Sequence, residues 1–391
     1  MTHPTTTHTN VLEAVRDLAP TLSARAAEIE AARRIPADLL ATLRAAGCFR
    51  MFVPRSHGGE ELDLLAGLDI LETLARADGA TGWTVMIGAE SPQLFSLLAA
   101  DRFDSIYSAG PDVILGGAFN AQGEAHVVEG GYRVKGRWGF ASGCQHVDWM
   151  FGNCVVLADG RPRPGIEEGV PEVRAALFRP DHARIHDTWS VLGLRGTGSH
   201  DISVEDLFVP ASDTLDIFMG RASIPGPTFV MPVLHCALHM AAVALGIAQG
   251  ALDDLVSLAQ NGKRRLYARA SLSEAPLFRH RLGRADTTLR AARAALHAFS
   301  NELWSACVNA PQSAVALAPR ASATLTWVGE AAVEVVDTCY RAAGGSAVRD
   351  GSPLQRRFRD IHTFTQHAAA AEGWFVQAGA AMLGLPTGFW V

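Results

Sequence analysis

Several common catalytic signatures are missing from this chain. No GxGxxG triplet follows a strand-like run, since Gly196-Thr197-Gly198 continues as Ser-His-Asp. There is also no GK[ST] phosphate loop and no G-x-S-x-G nucleophile turn, which removes the standard dinucleotide, P-loop and serine-hydrolase readings. His235 and His239 stand four apart on a helix-like run, as do His182 and His186, but neither pair encloses the Glu of HExxH, and the ExxH helices of a di-iron bundle are missing. They read as packing or solvent-facing histidines, and no metal site is expected. The six cysteines (Cys48, Cys144, Cys154, Cys236, Cys307, Cys339) make no CxxC pair and are too few for a disulfide scaffold in 391 residues.

Charge is scarce as well. Charged residues are 19% of the chain against 48% hydrophobic, a balance that excludes disorder and demands a sizeable core. With 34 Lys+Arg against 40 Asp+Glu, the formal charge is −6. Such a chain has no overall field for a polyanion, so no nucleic-acid partner is expected. The start, MTHPTTTHTN, has neither a basic region nor an apolar run, so no secretion signal is read there. With free thiols, this points to the cytoplasm. Residues 222–252 carry no formal charge, yet His235, His239, Gln249, Gly246 and Gly250 interrupt them, which suits lipid poorly. The uncharged last stretch, from Gly373 on, is broken by Pro386 and glycines. Both runs read as helix surface buried in a bundle or a subunit interface, and no membrane partner is expected.

What is present divides the chain into three textures. Residues 11–112 show apolar positions at spacings of three and four, as in Val11, Leu12, Val15, Leu18, Leu22 and Ile29, the pattern of amphipathic helices. Pro36 suits the first turn of a helix that Gly47 can close. From 113 to 210 come short runs separated by glycines and charged turns, with Glu129-Gly130-Gly131 marking a hairpin. The connections are too short for crossover helices, so an antiparallel β domain is expected. A linker, 211–229, leads to 230–391, where the segments 232–260, 276–309, 320–343 and 356–384 read as four long helices of a bundle. The fold class is multidomain α+β: an N-terminal helical domain, a central antiparallel β domain and a C-terminal four-helix bundle.

Two polar clusters stand out. One is Trp138, Ser142, Gly143, Gln145 and His146, after a strand in the β domain. The other is Asp360, His362, Gln366 and His367, in a strongly helical segment where a spacing of five turns the two histidines apart. On periodicity and composition, each cluster has two readings. Ser142-Gly143 is a plain turn or a ligand contact, and His367 is a capping or packing residue or a chemical one.

Four segments in order resemble the acyl-CoA dehydrogenase superfamily: IPADLLATLRAAGCFRMFVPRSHGG (35–59), RWGFASG (137–143), LGLRGTGSHDISVEDLFVP (192–210) and LQRRFRD (354–360). Within it, the chain is similar to the two-component flavin-dependent monooxygenases that oxygenate aromatic or heteroaromatic compounds. The ADGATGW piece with Trp83 resembles that branch, and the dehydrogenases' YEGT motif is absent. Ala368 stands where their catalytic Glu would be. The resemblance covers residues 12–384 and implies a homotetramer assembled through the bundle.

It also implies a chemistry. Reduced flavin (FADH2 or FMNH2), delivered by a separate NAD(P)H-dependent flavin reductase, would bind between the β domain and the bundle and react with O2 to a C4a-(hydro)peroxyflavin that hydroxylates a small aromatic substrate. His367 matches the branch's active-site histidine, suited to deprotonate a phenol-like substrate or to hydrogen-bond the oxygen. Ser142 matches a serine near flavin N5. Trp138 and Phe140 are expected as apolar walls, and Arg195, Gly196, Thr197 and Ser199 as flavin contacts. The same Arg195–Gly198 run reads equally as a tight turn with no ligand. Arg284, Arg290 and Arg293 are either anion partners or solvent-facing charges. The runner-up is an FAD-dependent acyl-CoA dehydrogenase; a non-catalytic helical assembly protein would bind no flavin.

Overall fold

The structure, a computed structural model, describes residues 10–166, 169–264 and 269–388. Most of the stretch where no secretion signal was read, and the last three residues, lie outside the described residues. The chain opens with α1 (Val11–Ala24), α2 (Ala26–Ala32), α3 (Ala37–Ala45), α4 (Leu64–Ala77), α5 (Gly79–Ala89), α6 (Ser91–Phe95) and α7 (Ala100–Tyr107). Asn10 caps α1 by accepting the Glu13 N–H, and Val11, Val15, Leu18 and Leu22 turn inward from it. Pro36 sits at the N-cap of α3 rather than inside its first turn, and Gly47 follows that helix with φ +86°. Asp63 and Asp78 cap α4 and α5 through the N–H groups of Ala66 and Thr81.

The β domain is one sheet of β1 (Leu115–Val128), β2 (Gly131–Trp138), β3 (Trp149–Ala158), β4 (Arg161–Pro162), β5 (Val173–Phe178), β6 (Arg184–His186), β7 (Asp201–Pro210) and β8 (Thr214–Leu215). Its order is β6-β7-β2-β1-β3-β5-β8, with β4 beside β3. The hairpin joins β1 to β2 at Glu129-Gly130, where Val128 faces Gly131. The antiparallel reading holds for every recorded pair but one: β3 lies parallel to β1. The physical reason is topological. β2 turns back on β1, and β3 then lies on the far side of β1, so the chain must cross by the loop 139–148 rather than by a helix. β8 also extends the sheet into the expected linker.

Three of the four expected bundle helices are present, α8 (Pro232–Gln260), α9 (Pro276–Asn309) and α11 (Ala318–Ala343), with the short α10 (Pro311–Ala314) between the last two. The expected fourth long helix is broken into α12 (Pro353–Phe364) and α13 (Gly373–Met382). Four alanines at 368–371 favour helix by propensity, but Ala368–Ala370 make only one tight 3-10 turn, and side chains engage the backbone groups around it. His367 Nδ1 accepts the Ala369 N–H at 3.2 Å, Trp374 Nε1 donates to Ala368 O at 3.0 Å, and Thr326 Oγ1 donates to Ala371 O at 3.2 Å. Local caps from His367 and Trp374, with Thr326 alongside, interrupt the helix here.

α8 is long and apolar enough to cross a membrane, but most of it is buried against α4 and α11. The N-terminal helices and the bundle therefore share one continuous apolar core. The β domain keeps its own, around Val134, Trp138, Met150, Cys154, Phe178 and Ile202.

Candidate functional site

The crossing loop 139–148 turns at Phe140 (φ +65°) and Gly143 (φ +68°), which leaves Ser142 pointing inward. It is stitched to the segment 194–200: Gly143 N–H donates to Thr197 O at 2.8 Å and Ala141 N–H to His200 O at 3.2 Å. That segment is a tight turn between Leu194 (φ 50°) and Gly198 (φ 52°). A Cβ on Gly196 would stand 2.5 Å from Ile29 Cγ2 and 2.9 Å from Ala80 Cβ, so only glycine lets the turn wedge against α2 and α5.

The wedge brings three hydroxyls and an indole into a chain. Thr197 Oγ1 donates to Leu194 O at 2.8 Å, and lies 2.7 Å from Ser199 Oγ. Ser199 Oγ lies 2.8 Å from Ser142 Oγ, which accepts the Trp83 Nε1–H at 3.1 Å. A hydroxyl has one proton to give. Thr197 spends its proton on Leu194, so Ser199 must donate to Thr197 and Ser142 to Ser199. Ser142 is left with a lone pair only: it can accept one more hydrogen bond but donate none.

Trp83 also carries the other half of the site. Its ring meets His367 at 5.5 Å between centroids and Phe364 at 6.0 Å, both in edge geometry. Ser142 and His367, from the two clusters, thus converge on one indole. His367 keeps exposed surface in an otherwise crowded cleft, and desolvation by the protein around it lowers its pKa to about 4. The ring is neutral at pH 7, and with Nδ1 accepting from Ala369 its proton sits on Nε2. His362 turns elsewhere, to Asp337 Oδ1 at 2.9 Å. Beside the break, between α11 and residues 362–372, lies a cavity of about 370 Å³ lined by Thr326, Glu330, Val333, Phe364 and Gln366 among others. Trp83, Ser142 and His367 do not line it; it meets their cluster only through Phe364.

Against known families, the acyl-CoA dehydrogenase N-terminal domain matches residues 5–96 and the acyl-CoA dehydrogenase C-terminal domain matches 238–372. Indole-3-acetate monooxygenase of Pseudomonas putida is 31% identical over 375 residues, 96% of this chain and 92% of the relative. The oxygenase subunit HsaA of a flavin-dependent monooxygenase from Rhodococcus jostii is 32% identical over 380 residues, 94% of this chain and 97% of that protein. The chain belongs to the flavin-dependent monooxygenases with the acyl-CoA dehydrogenase fold. The crystal structure of 3-HSA hydroxylase from Rhodococcus sp. RHA1 superimposes with a TM-score of 0.88 at 29% identity, covering 97% of this chain and 98% of that one.

The residues present fit the flat, hydrogen-bonding ring on which these monooxygenases depend. Ser142 offers an acceptor and His367 a donor. Phe140 is 68% exposed and meets Trp189 edge-on at 6.1 Å. Trp189 is itself fixed by Leu194 O and by His200 Nδ1.

Other expected contacts fall outside this cluster. Trp138 is a correction: it has no accessible surface and donates Nε1–H to Asn153 O at 2.6 Å inside the sheet. Gly123, Gly136 and Gly152 make room for its ring, so it cannot wall a ligand. Arg195 turns away as well, donating to Val191 O at 2.8 Å and lying 3.8 Å from Glu30. Gly196 serves packing. Arg284, Arg290 and Arg293 pair with Glu334, Asp286 and Glu72; the first two fit the reading as solvent-facing charges, while Arg293 is half-buried. His239 pairs with the buried Glu90 at 3.0 Å, and no metal-holding group of three or more His, Cys, Asp or Glu occurs among the described residues. The expectation omits Trp83 as a site residue. The signal for it was an indole amid small residues in an apolar helix, since a buried indole N–H demands a partner.

Proposed function

We propose that this protein is the oxygenase component of a two-component system, in which a separate NAD(P)H-dependent reductase supplies reduced flavin and a small aromatic or heteroaromatic compound takes one oxygen atom of O2. The convergence of Ser142 and His367 on Trp83 carries this reading. No carboxylate stands beside them at the position of Ala368, so proton abstraction next to a thioester has no base there. When bound, reduced flavin supplies the electrons and the activation of O2.

The chain's own residues orient and protect. Ser142, able only to accept, suits an N–H on the ring edge, and reduced flavin presents one at N5. Phe140 and Trp189 form an aromatic flank, and Thr197 and Ser199 act through Ser142. His367, neutral with its proton on Nε2, donates a hydrogen bond to an oxygen in the cleft. That protonation supports the donating role over the role of base.

Free thiols at all six cysteines fit a reducing cytoplasm. Exposed Phe375, Val376, Met382, Leu383 and Leu385 at the C-terminal end of the bundle support assembly into a homotetramer. The deciding experiment supplies the protein with a flavin reductase, NADH, FAD or FMN, and ¹⁸O2, with a panel of phenols, indoles and fused-ring ketones. One labelled oxygen in the product is the expected result. Reduction of protein-bound FAD by an acyl thioester, with no reductase present, would overturn the reading. Running each flavin separately decides between FAD and FMN.

A further inference from the structure

Helix α12 grips the elbow between α4 and α5 with two side chains three residues apart. Arg357, 3% exposed, donates to Ala75 O at 3.1 Å and to Ala77 O at 3.3 Å, the carbonyls that end α4. Asp360, also 3% exposed, sits where α5 begins, its Oδ2 3.3 Å from the place a Cβ on Gly79 would take. Its Oδ1 accepts the Leu194 N–H at 2.6 Å, and Leu194 starts the turn that bears Thr197 and Ser199. Leu194 has φ 50°, a conformation that costs a non-glycine residue energy and must be held by its surroundings. The fit is tight: a Cβ on Gly193 would fall 2.1 Å from Arg359 O.

We propose that Asp360 is a positioning residue that locks together the three chain segments carrying Trp83, Ser199 and His367. α5 bears Trp83, the Leu194 turn bears the hydroxyls, and α12 itself leads through Phe364 to His367. Asp360 touches the first two and belongs to the third. This role rests on the oxygenase reading for its consequence in chemistry, but the lock itself is a feature of the fold.

Below about pH 7 the acid in this lock is neutral, although the Leu194 N–H on its Oδ1 favours the carboxylate. The carboxylate of Asp78, buried and already accepting from Thr81 N–H and Oγ1, faces Asp360 from the α4–α5 junction, and two ionised carboxylates do not share a buried space cheaply. Desolvation first and Asp78 second raise the Asp360 pKa to about 7. The cations nearby do not cancel this. Arg359 is spent on Glu30 and Leu192 O, and Arg357 on the α4 carbonyls and Asp254. Arg195 lies toward Glu30, and Arg356 acts at a distance. A folded-state pKa raised from 3.8 makes the folded state hold a proton that the unfolded chain has lost. The stabilisation is complete below about 4 and is lost as pH rises through about 7.

Asp360→Asn keeps an acceptor for the Leu194 N–H and, like the neutral acid, carries no charge, but does not titrate. Asp360→Ala removes the acceptor altogether. Hydrogen exchange at the Leu194 amide, corrected for intrinsic rates, reads the lock on the flavin-free protein. In the wild type, protection should fall roughly tenfold between pH 6 and pH 8, because one unit above its pKa only a tenth of the acid is neutral. In Asp360→Asn, protection should be the same at both pH values; in Asp360→Ala it should be lost at both. Product formed per NADH should follow the same pattern, falling with pH in the wild type and flat in Asp360→Asn. If Asp360→Asn keeps the wild-type pH slope, or if the wild-type amide is equally protected at both pH values, the proposal is wrong. Should Asp360→Ala fail to fold, the comparison of wild type with Asp360→Asn still decides. The expected exchange pattern with no oxygenated product would count against the oxygenase reading and support the lock.

Discussion

Trp83 and Ser142 are joined by a single hydrogen bond, Nε1 to Oγ at 3.1 Å, and that bond occupies one of the two lone pairs through which Ser142 could meet a ligand. Trp83→Phe removes the donor and keeps a ring against His367 and Phe364. The expected outcome is a protein that folds with a melting temperature within a few degrees of wild type but wastes more reducing equivalents as H2O2. Product formed per NADH, measured beside the melting curve, checks it. Equal loss of stability and coupling would make Trp83 a packing residue only.

Thr197 anchors the other end of the relay. Thr197→Val leaves shape and volume nearly unchanged but takes away the acceptor on which Ser199 spends its proton. Ser199 can then donate to Ser142, and Ser142 can donate to a ligand. A neutral hydrogen bond is worth about 0.5–1.5 kcal/mol net, so the ratio of affinities for reduced over oxidised flavin should fall by about three- to tenfold. Equilibrium binding of each redox form, anaerobically for the reduced one, measures it. An unchanged ratio would show that the direction of the relay is irrelevant to flavin binding.

The helices of the first hundred residues and the long bundle helices α8, α9 and α11 were legible in the sequence, because a buried face imposes a spacing of three and four whatever its neighbours are. The site was legible only through its two clusters and a family resemblance. Nothing in a periodicity could show that β3 runs parallel to β1, since direction is set by which side of β1 the chain returns to. The interruption at His367 was hidden for a related reason: Ala368–Ala371 favour helix locally, and the side chains of Thr326 and Trp374 that capture their carbonyls come from elsewhere in the fold or chain. Trp138 misled because it sits four residues before Ser142, yet strand alternation turns it into the sheet's core.

His367 gives a pH prediction. Its pKa lies at about 4, below the usual value for histidine, because the cleft desolvates the charged ring even though part of it stays exposed. The folded state therefore binds fewer protons than the unfolded chain between about pH 6.5 and 4, and the stability His367 contributes is full above 6.5 and lost as pH falls toward 4. Chemical shifts of the His367 imidazole should stay flat from pH 8 to pH 5.5 and move only below that. A midpoint near 6.5 would mean a solvated ring, and the donating role assigned to it would have to yield to a titrating one.

Trp138→Ala should behave as a core deletion. Removing a large, fully buried aromatic side chain costs about 3–5 kcal/mol, and the sheet loses the filling between Gly123, Gly136 and Gly152. Denaturant unfolding should show that loss. Flavin affinity of the fraction that remains folded should stay within about twofold of wild type, because a 1 kcal/mol change in binding is already about fivefold. A selective fall in affinity would return Trp138 to the site.

Phe140 poses the opposite test, since it is exposed and strained at once. A left-handed backbone at a non-glycine residue costs roughly 1–2 kcal/mol, and Phe140 holds φ +65° with its ring 68% exposed. In a protein selected only for stability, glycine would serve better at this position. Phe140→Gly relieves the strain but adds unfolded-chain freedom worth about 0.5–1 kcal/mol, so unfolding free energy should rise by no more than about 1.5 kcal/mol. Flavin affinity and coupling should both fall, because Trp189 loses its partner on the open side of the cleft. If the substitution left binding and coupling untouched, the strain at Phe140 would serve only to turn Ser142 inward, and the aromatic flank assigned to this side of the site would have to come from elsewhere.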